Sequence, residues 1–167
     1  YPDMGPPRSW PPANLAHGGR WINTGRNKDD RIPRAPISSV HPSWVVLSWP
    51  KPQTIHGVWL LGSVDELVIY SYTGDEGINP SLAAEKEWRR MRVEDPVSRR
   101  VDRDSYARYY EFAPVTTRGL RLTINKAVGG GPVVVLSSVQ VITDLGQKPV
   151  PELPQQAVAS PVEIEWE

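Results

Sequence analysis

Hydrogen-bonding side chains are concentrated in one segment of this 167-residue chain, between positions 23 and 41. Arginine presents a planar fork of donors that binds carboxylates or hydroxyl groups in a bidentate manner, and Asp and Asn add acceptors. The polar, turn-rich stretch that contains them, residues 14–43, far exceeds the median connection of about 4–6 residues, and such long loops are often functional. We therefore take this segment as the candidate ligand-contact region. Its candidate residues are Asn23, Arg26, Asn27, Asp29, Asp30, Arg31 and His41.

The aromatic content points in the same direction. Seven tryptophans stand against one phenylalanine, and Trp is favoured where a flat face must meet a ligand or partner. Trp10, isolated among prolines, is the candidate aromatic contact if the N-terminal arm folds over the same end of the molecule. The alternative is that Trp10 pins this arm to the body. Fourteen of the 19 basic residues are Arg, a bias that a GC-rich genome would also produce.

The motifs of several enzyme classes are absent from the sequence. There is no GxSxG, no HExxH, no phosphate loop and no Rossmann glycine fingerprint. The run Gly129–Gly131 precedes Pro132 and a predicted strand, where a phosphate loop would need a helix, so it predicts a tight connection. We expect no catalysis by this domain alone.

Histidines and paired acids also lack a catalytic pattern. A metal site would need partners that the widely separated histidines do not offer in sequence, and acid–base cleavage of a glycoside would need two carboxylates across a cleft. Nothing in the sequence places an acid pair in an apolar pocket that would raise one pKa, so we interpret these acids as solvated loop charges. The residues concerned are His17, His41 and His56, the pair Asp29 and Asp30, and the pair Asp102 and Asp104.

Composition excludes other classes of function. The 19 basic and 19 acidic residues give a formal net charge of zero, without the basic excess that drives binding to nucleic acid or anionic membranes. No apolar run reaches the length of a membrane-spanning helix. There is no cysteine, which excludes disulfides and thiolate metal sites. We expect neither nucleic acid nor membrane as a partner.

Turn residues and β-rich runs predict an all-β fold. Eighteen prolines and 13 glycines interrupt the chain too often for long helices. About seven short strands with turns between them are typical of an antiparallel β-sandwich or jelly roll, with a helical turn near Leu82–Glu87 and a solvated loop or edge over Glu94–Ala107. The predicted strands are Trp44–Trp49, Thr54–Leu61, Glu66–Tyr72, Trp88–Val93, Tyr109–Phe112, Leu120–Asn125 and Val133–Ile142.

The ends of the chain differ in composition from its middle. We divide it into a proline-rich arm (1–13), a sandwich domain (14–144), a proline-rich linker (145–161) and a terminal strand or the start of a next module (162–167). In the sandwich, alternation along the segment LRLTI places Leu120, Leu122 and Ile124 inward and Arg121 and Thr123 outward.

The order of these segments resembles the discoidin-like, or coagulation-factor type C, domain. That family shares the galactose-binding-like β-sandwich with the family 32 carbohydrate-binding modules. The segment EFAPVTTRGLRLTI is similar to the family pattern F-x-P-V-x-A-R-x-L/I-R-L, with Phe112, Pro114, Val115, Arg118 and Arg121 in matching places. The resemblance covers roughly residues 14–144. It also implies that Trp21 and Trp88 are packing residues, and we expect both in the core, with ligand contact as the alternative.

The resemblance implies a structural calcium in many members, but two of its acidic ligands are missing here. His17 stands before Gly18 where an Asp is common, and Ser137 and Ser138 stand where the last strand carries a Glu. Calcium takes six to eight oxygen ligands, so we expect no cofactor, although backbone carbonyls or the pair Asp29 and Asp30 leave calcium open as an alternative.

The resemblance also implies a sugar as the ligand. Discoidin-like modules that bind sugars use a platform of loops at one end of the sandwich, and the polar segment from Asn23 to His41 would supply such a platform. We expect a non-catalytic carbohydrate-binding module attached to a catalytic domain of a glycan-degrading enzyme, secreted, periplasmic or at the cell surface. The alternative is an accessory sandwich that packs on such a domain without binding sugar.

Overall fold

The computed structural model describes residues 15, 20–23, 36–143, 151–152 and 156–159. Within these residues nine strands form antiparallel ladders. This confirms the predicted all-β sandwich. The strands are β1 (Trp21–Ile22), β2 (Ser43–Gly62), β3 (Val64–Tyr72), β4 (Trp88–Arg90), β5 (Val97–Arg100), β6 (Tyr106–Ala127), β7 (Val135–Ile142), β8 (Pro151–Glu152) and β9 (Gln156–Ala159).

Two long strands, β2 and β6, form the frame of the molecule. They pair with each other along almost their whole length, from Ser43 opposite Ile124 to Gly62 opposite Tyr106. The register shifts between Ser48 and Gln53 and again between Ile55 and Gly57, and such irregularities bend a ribbon. The ribbon therefore folds over on itself, and each of its halves becomes the centre of one layer.

The two layers follow from the remaining pairings. In layer A, the first half of β2 lies between β9 and the second half of β6, and β3 and β4 continue the sheet. In layer B, the second half of β2 lies between β7 and the first half of β6, with β5 at one edge and with β1 and β8 on the far side of β7. All of these ladders are antiparallel.

The core lies between the layers and follows the predicted alternation. Leu120, Leu122 and Ile124 are fully buried, whereas the intervening Arg121 is only partly covered. Trp21 is also in this core, as predicted. Other large side chains that are fully buried include Val45, Leu47, Ile69, Leu120, Leu122 and Ile124 in layer A, and Val58, Leu60 and Leu136 in layer B.

Three prolines do not end strands as the sequence predicts. Pro50 and Pro52 lie inside the continuous β2, and Pro114 lies inside β6. All three are exposed at the bend of the ribbon, where the ladder is already irregular and a missing N–H costs little. The four strands predicted at 44–49, 54–61, 109–112 and 120–125 are therefore halves of two strands.

The charged segment after the fourth predicted strand contains a short edge strand as well as loop residues. Residues 97–100 form β5, whose four residues are all exposed, so periodic burial gave no signal there. The fourth strand itself ends at Arg90, and Val93 forms an isolated bridge with Phe112. The predicted helical turn is two short 3-10 turns, Pro80–Leu82 and Glu85–Glu87.

Part of the predicted linker also joins the sandwich, because β8 pairs with β7 and β9 pairs with β2. The other domain boundaries remain predictions. Among the residues that the structure describes, none belongs to a helix with the length and apolar character needed to cross a membrane.

A polar cluster covers the outer face of layer A. The guanidinium of Arg121 lies 4.4 Å from the ring centre of Tyr70 and 5.2 Å from that of Trp88. Both carboxylate oxygens of Glu85 accept hydrogen bonds from Arg121 at 2.7 Å. The expectation that Trp88 is a core residue is therefore wrong, because its half-buried ring packs on the outer face, edge-on to Tyr72. The cluster anchors the second 3-10 turn to the sheet.

We expect Glu85→Gln to weaken this anchor in a pH-dependent manner. The hydrogen bonds from Arg121 lower the pKa of the Glu85 carboxyl, so the ion pair stabilises the fold above the ordinary carboxyl pKa and is lost as pH falls through the lower folded value. Because Glu85 is 79% exposed, we expect a loss of only about 0.2–1 kcal/mol at pH 7. Urea unfolding at pH 7 and in acid checks this, with Glu94→Gln as the control. A difference that persists unchanged in acid would contradict the assignment.

We also expect Gly62→Ala to destabilise the junction between β2 and β3. A Cβ at Gly62 would overlap the backbone carbonyl oxygen of Val135, so β7 would have to move. Overpacking of this kind costs about 1–3 kcal/mol, measurable as a lower urea midpoint. The matched control is Gly77→Ala, whose Cβ would meet no atom within 4 Å. Equal midpoints for the two variants would refute the clash.

Candidate functional site

The ends of the two central strands, β2 and β6, lie together at one end of the sandwich, which we call the rim. It consists of the β2–β3 junction (62–64), the β5–β6 loop (101–105) and the β6–β7 connection (127–135), and β2 also begins at this end. Arg108 of layer B donates a hydrogen bond to the carbonyl of Asp65 in layer A at 2.8 Å. The two layers are therefore tied together at the rim.

The β6–β7 connection is a tight turn, as the glycine run predicts. Gly129 and Gly130 have φ values of 88° and 74°, a region that residues with a side chain seldom adopt. The N–H of Gly130 donates to the carbonyl of Ala127 at 2.9 Å. Ser63 then fixes the turn from the side, because its carbonyl accepts from Val128 and its Oγ accepts from Val135, both at 2.9 Å.

The polar segment of the sequence analysis is attached to this turn at both described ends. The side chain of Asn23 donates to the carbonyl of Pro132 and accepts from the N–H of Val134, each at 2.9 Å. At the other end the N–H of Ile37 donates to the carbonyl of Gly131 at 3.3 Å. The segment from Asn23 to Ile37 therefore starts and finishes beside the rim.

An open cleft of about 570 Å³ lies at the rim. Its charged and hydroxyl groups come from four separate parts of the chain, and Val133 adds an apolar side chain that is 43% exposed. Its size falls in the range of about 300–1,000 Å³ that is usual for ligand sites. The polar residues that line it are Arg20, Ser63, Asp102, Asp104, Ser105 and Ser137.

The acidic wall of the cleft has a defined conformation. The carboxylate of Asp102 accepts a hydrogen bond from the N–H of Asp104 at 3.1 Å, as in an Asx turn. Arg100 donates to the carbonyls of Asp102 and Arg103, both at 3.1 Å. The loop is thus held by its own strand, and the Asp104 carboxylate has no hydrogen-bond or ion-pair partner among the described residues.

Two of the eight sequence-predicted contact residues fall in the described part of the chain. Asn23 lies at the rim, but its amide bonds the main chain and acts there as a clamp. His41 is exposed two residues before β2, in a turn where its N–H donates to Ser38 Oγ at 3.1 Å. The others lie outside the described residues and stay predictions: Trp10, Arg26, Asn27, Asp29, Asp30 and Arg31.

Most polar residues that line the cleft were not predicted from the sequence as ligand contacts. Asp102 and Asp104 were interpreted as solvated loop charges, and no role was expected for Arg20 or Ser105. The spacing Asp-x-Asp-Ser before a strand is a turn signal, but it does not indicate which other loop lies beside it. That proximity depends on β6, which carries the chain from one edge of the rim to the other.

The calcium question depends on residues that only partly fall in the described segments. Within those segments no group of three or more histidine or acidic side chains is placed to hold a metal ion. Ser137 lines the cleft where the family pattern has a carboxylate, and a hydroxyl is a weaker ligand for Ca²⁺. Asp29 and Asp30 lie outside the described residues, so the expectation about calcium stays a prediction.

The opposite end of the sandwich, which we call the corner, is the bend of the β2–β6 ribbon. Thr117 Oγ1 donates to the carbonyl of Tyr72 at 2.8 Å and so ties the bend to the end of β3. Tyr72 in turn donates from its hydroxyl to the carbonyl of Asp75 at 2.8 Å, and burial raises its pKa. Arg118 donates to the carbonyls of Glu76 and Ile78. The β3–β4 loop is thereby closed onto the corner.

Comparison with known structures supports the fold. Five solved chains match, among them a chain of the beta-galactosidase BgaA of Streptococcus pneumoniae, with a TM-score of 0.50 and 12% sequence identity over 75% of this chain and 79% of that chain. At this identity the similarity defines a shared all-β architecture and nothing finer. No protein-family model matches the chain, and no curated protein matches it.

We expect Asn23→Ala to loosen the rim. The substitution leaves the Pro132 carbonyl and the Val134 N–H without their side-chain partner, at a cost of about 1–3 kcal/mol for partly buried groups. Amide hydrogen exchange should therefore be faster at Val134. Asn23→Asp keeps the acceptor for Val134 and should retain much of its protection, so equal exchange in the two variants would argue against the clamp.

Proposed function

We propose that this domain is a non-catalytic carbohydrate-binding module that binds glycan at the rim. The observation that carries the proposal is the cleft where Arg20, Asp102 and Asp104 converge beside the tight Gly129–Gly131 turn. A second support is that the long polar segment is attached to the same turn at Asn23 and Ile37.

The chemistry of the cleft suits a sugar. Vicinal hydroxyl groups both donate and accept, so they can bridge a guanidinium on one wall and a carboxylate on the other. The exposed Val133 and the Pro132 ring offer apolar surface to the C–H groups of a sugar ring. The cleft is open and shallow, which favours the end or the side of a chain over an enclosed small molecule.

The proposed setting is a multidomain glycan-degrading enzyme outside the cytoplasm. The similar chain of BgaA belongs to a beta-galactosidase, and this supports an accessory role beside a catalytic domain. The family resemblance of the segment around Phe112 points the same way.

A second role is favoured by the outer face of layer B. Trp59, Tyr109 and Gln140 lie side by side across three strands, and Val97 beside them is 74% exposed. Such a half-exposed apolar face is suited to packing against a neighbouring domain. A domain that packs in this way is the accessory sandwich, without sugar binding, that the sequence left as the alternative.

Calorimetry against a panel of neutral and charged polysaccharides tests the proposal. We expect binding with a millimolar or lower Kd for at least one glycan, and a loss of about tenfold or more in Arg20→Ala and Asp104→Ala, since a hydrogen bond to a charged group contributes about 1.5–3 kcal/mol. Arg26→Ala and Asp30→Ala extend the test to the polar segment. The control is Asp95→Ala, an exposed acid away from the cleft.

The outcome separates the two roles. Equal affinity in the rim variants and the Asp95 control would exclude the rim as the site. Absence of binding across the panel would contradict the proposal, and protection of Trp59 and Tyr109 from solvent in the full-length protein would then favour the packing role.

A further inference from the structure

A second groove, of about 370 Å³, lies at the corner between β4 and the bend of β6. One wall is formed by Arg89, Arg90 and Arg92, and the other by residues 113–116. All three arginines are exposed, and none of their guanidinium groups has an ion pair or hydrogen bond to another described residue. No carboxylate lines the groove. Three exposed guanidinium groups are therefore without an ion-pair partner among the described residues.

The clustering of these arginines is a local feature. The chain as a whole has a formal net charge of zero, so long-range attraction to a polyanion is weak and an anion would be drawn to this groove in particular. Arg90 and Arg92 are two residues apart along an extended segment, so their side chains point to the same side with Cα atoms about 7 Å apart, whereas Arg89 points to the other side. This spacing suits a ligand that carries several negative charges along its length.

The opposite wall is an open strand edge. On one side the bend of β6 pairs with β2, through Val115 and Thr116. On the other side the described ladders stop at Phe112, which bridges Val93, and resume at Leu120, which pairs with β3. The edge between these two positions is therefore available to a ligand.

Pro114 in this edge decides between two kinds of extended ligand. A peptide that added a strand would need a regular series of backbone donors and acceptors, and proline removes one donor and blunts an edge. A glycan needs no such ladder. The exposed Pro114 ring and the half-buried Met91 side chain offer it apolar contacts, while the arginine forks bind its acidic groups in a bidentate manner.

We propose that the groove between Arg89–Arg92 and Ala113–Thr116 is a second carbohydrate site, selective for acidic polysaccharides that carry carboxylate or sulfate groups. The inference builds on the proposed glycan-binding function and adds to it a charge-selective site at the other end of the sandwich. A glycan that bound at both the rim and the corner would contact the domain along the full length of a layer.

The test measures binding of three probes by calorimetry at low and moderate salt: oligogalacturonate, a sulfated galacto-oligosaccharide and a neutral galacto-oligosaccharide. We expect the R89Q/R90Q/R92Q variant to lose about tenfold or more in affinity for at least one acidic probe, with a weaker salt dependence. The carboxylated and sulfated probes distinguish the two acidic groups. Unchanged thermal unfolding would show that the fold is intact, as expected for exposed side chains without partners.

A matched variant controls for net charge. K51Q/R99Q/K126Q removes three exposed positive charges outside the groove, and it should leave the affinity for acidic probes within about twofold of the parent. Conservative R89K/R90K/R92K keeps the charge but not the planar fork, so it should fall between the parent and the glutamine variant. Equal losses in the glutamine variant and the charge control would overturn the groove and indicate nonspecific attraction.

The two proposals fail in different ways. If neutral glycans bind at the rim but acidic probes do not bind, or bind without regard to the arginines, the groove is refuted and the rim survives. If acidic probes bind through the arginines while Arg20→Ala and Asp104→Ala change no glycan affinity, the groove stands and the rim site is refuted. Absence of binding by every probe refutes the groove and, with the wider panel, the rim.

Discussion

The folded-over pairing of β2 with β6 is the constraint on which the rest of this molecule depends. Their ladder runs from Ser43 opposite Ile124 to Gly62 opposite Tyr106, and the bend in the middle places its two halves in different layers. Each half contributes alternating buried residues to one core, among them Leu47 and Leu122 from layer A and Val58 from layer B. β3, β5, β7 and β9 pair directly with one of these halves, and β1, β4 and β8 are attached through β7 or β3.

This arrangement explains why the molecule has two different ends. At the rim, the ribbon begins and finishes, so the connections between strands meet there and form a cleft. At the corner the ribbon bends, and a bend needs irregular pairing. The exposed prolines at 50, 52 and 114 are tolerated because the N–H groups they lack would face solvent or a break in the ladder. The open strand edge beside Arg89–Arg92 is a direct result of the same bend.

Hydrogen bonds from side chains then fix the conformation of the loops at the rim and at the corner. Asn23 and Ser63 hold the glycine turn at the rim, while Thr117 and Tyr72 close the loop at the corner. These hydrogen bonds satisfy backbone groups that would otherwise lack a partner, and an unsatisfied group is costly when it is partly buried. The exposed side chains of Asp104 and Arg89 make no such hydrogen bond within the described part of the chain.

Local sequence pattern was sufficient for the class of fold and for the inward face of its strands. The alternation of Leu120, Leu122 and Ile124 with Arg121 and Thr123 predicted which side chains are buried, because the period of a strand fixes the two faces. The glycine run predicted its tight turn for a similar reason, since Gly129 and Gly130 adopt positive φ with no Cβ in the way. The tertiary structure alone decided that Pro50 and Pro114 continue their strands, that Asp102 and Asp104 lie beside residues 128–137, and that Arg89–Arg92 face an unpaired edge. Each of these depends on contacts between residues far apart in the chain, and no local spacing encodes which distant segment becomes the neighbour.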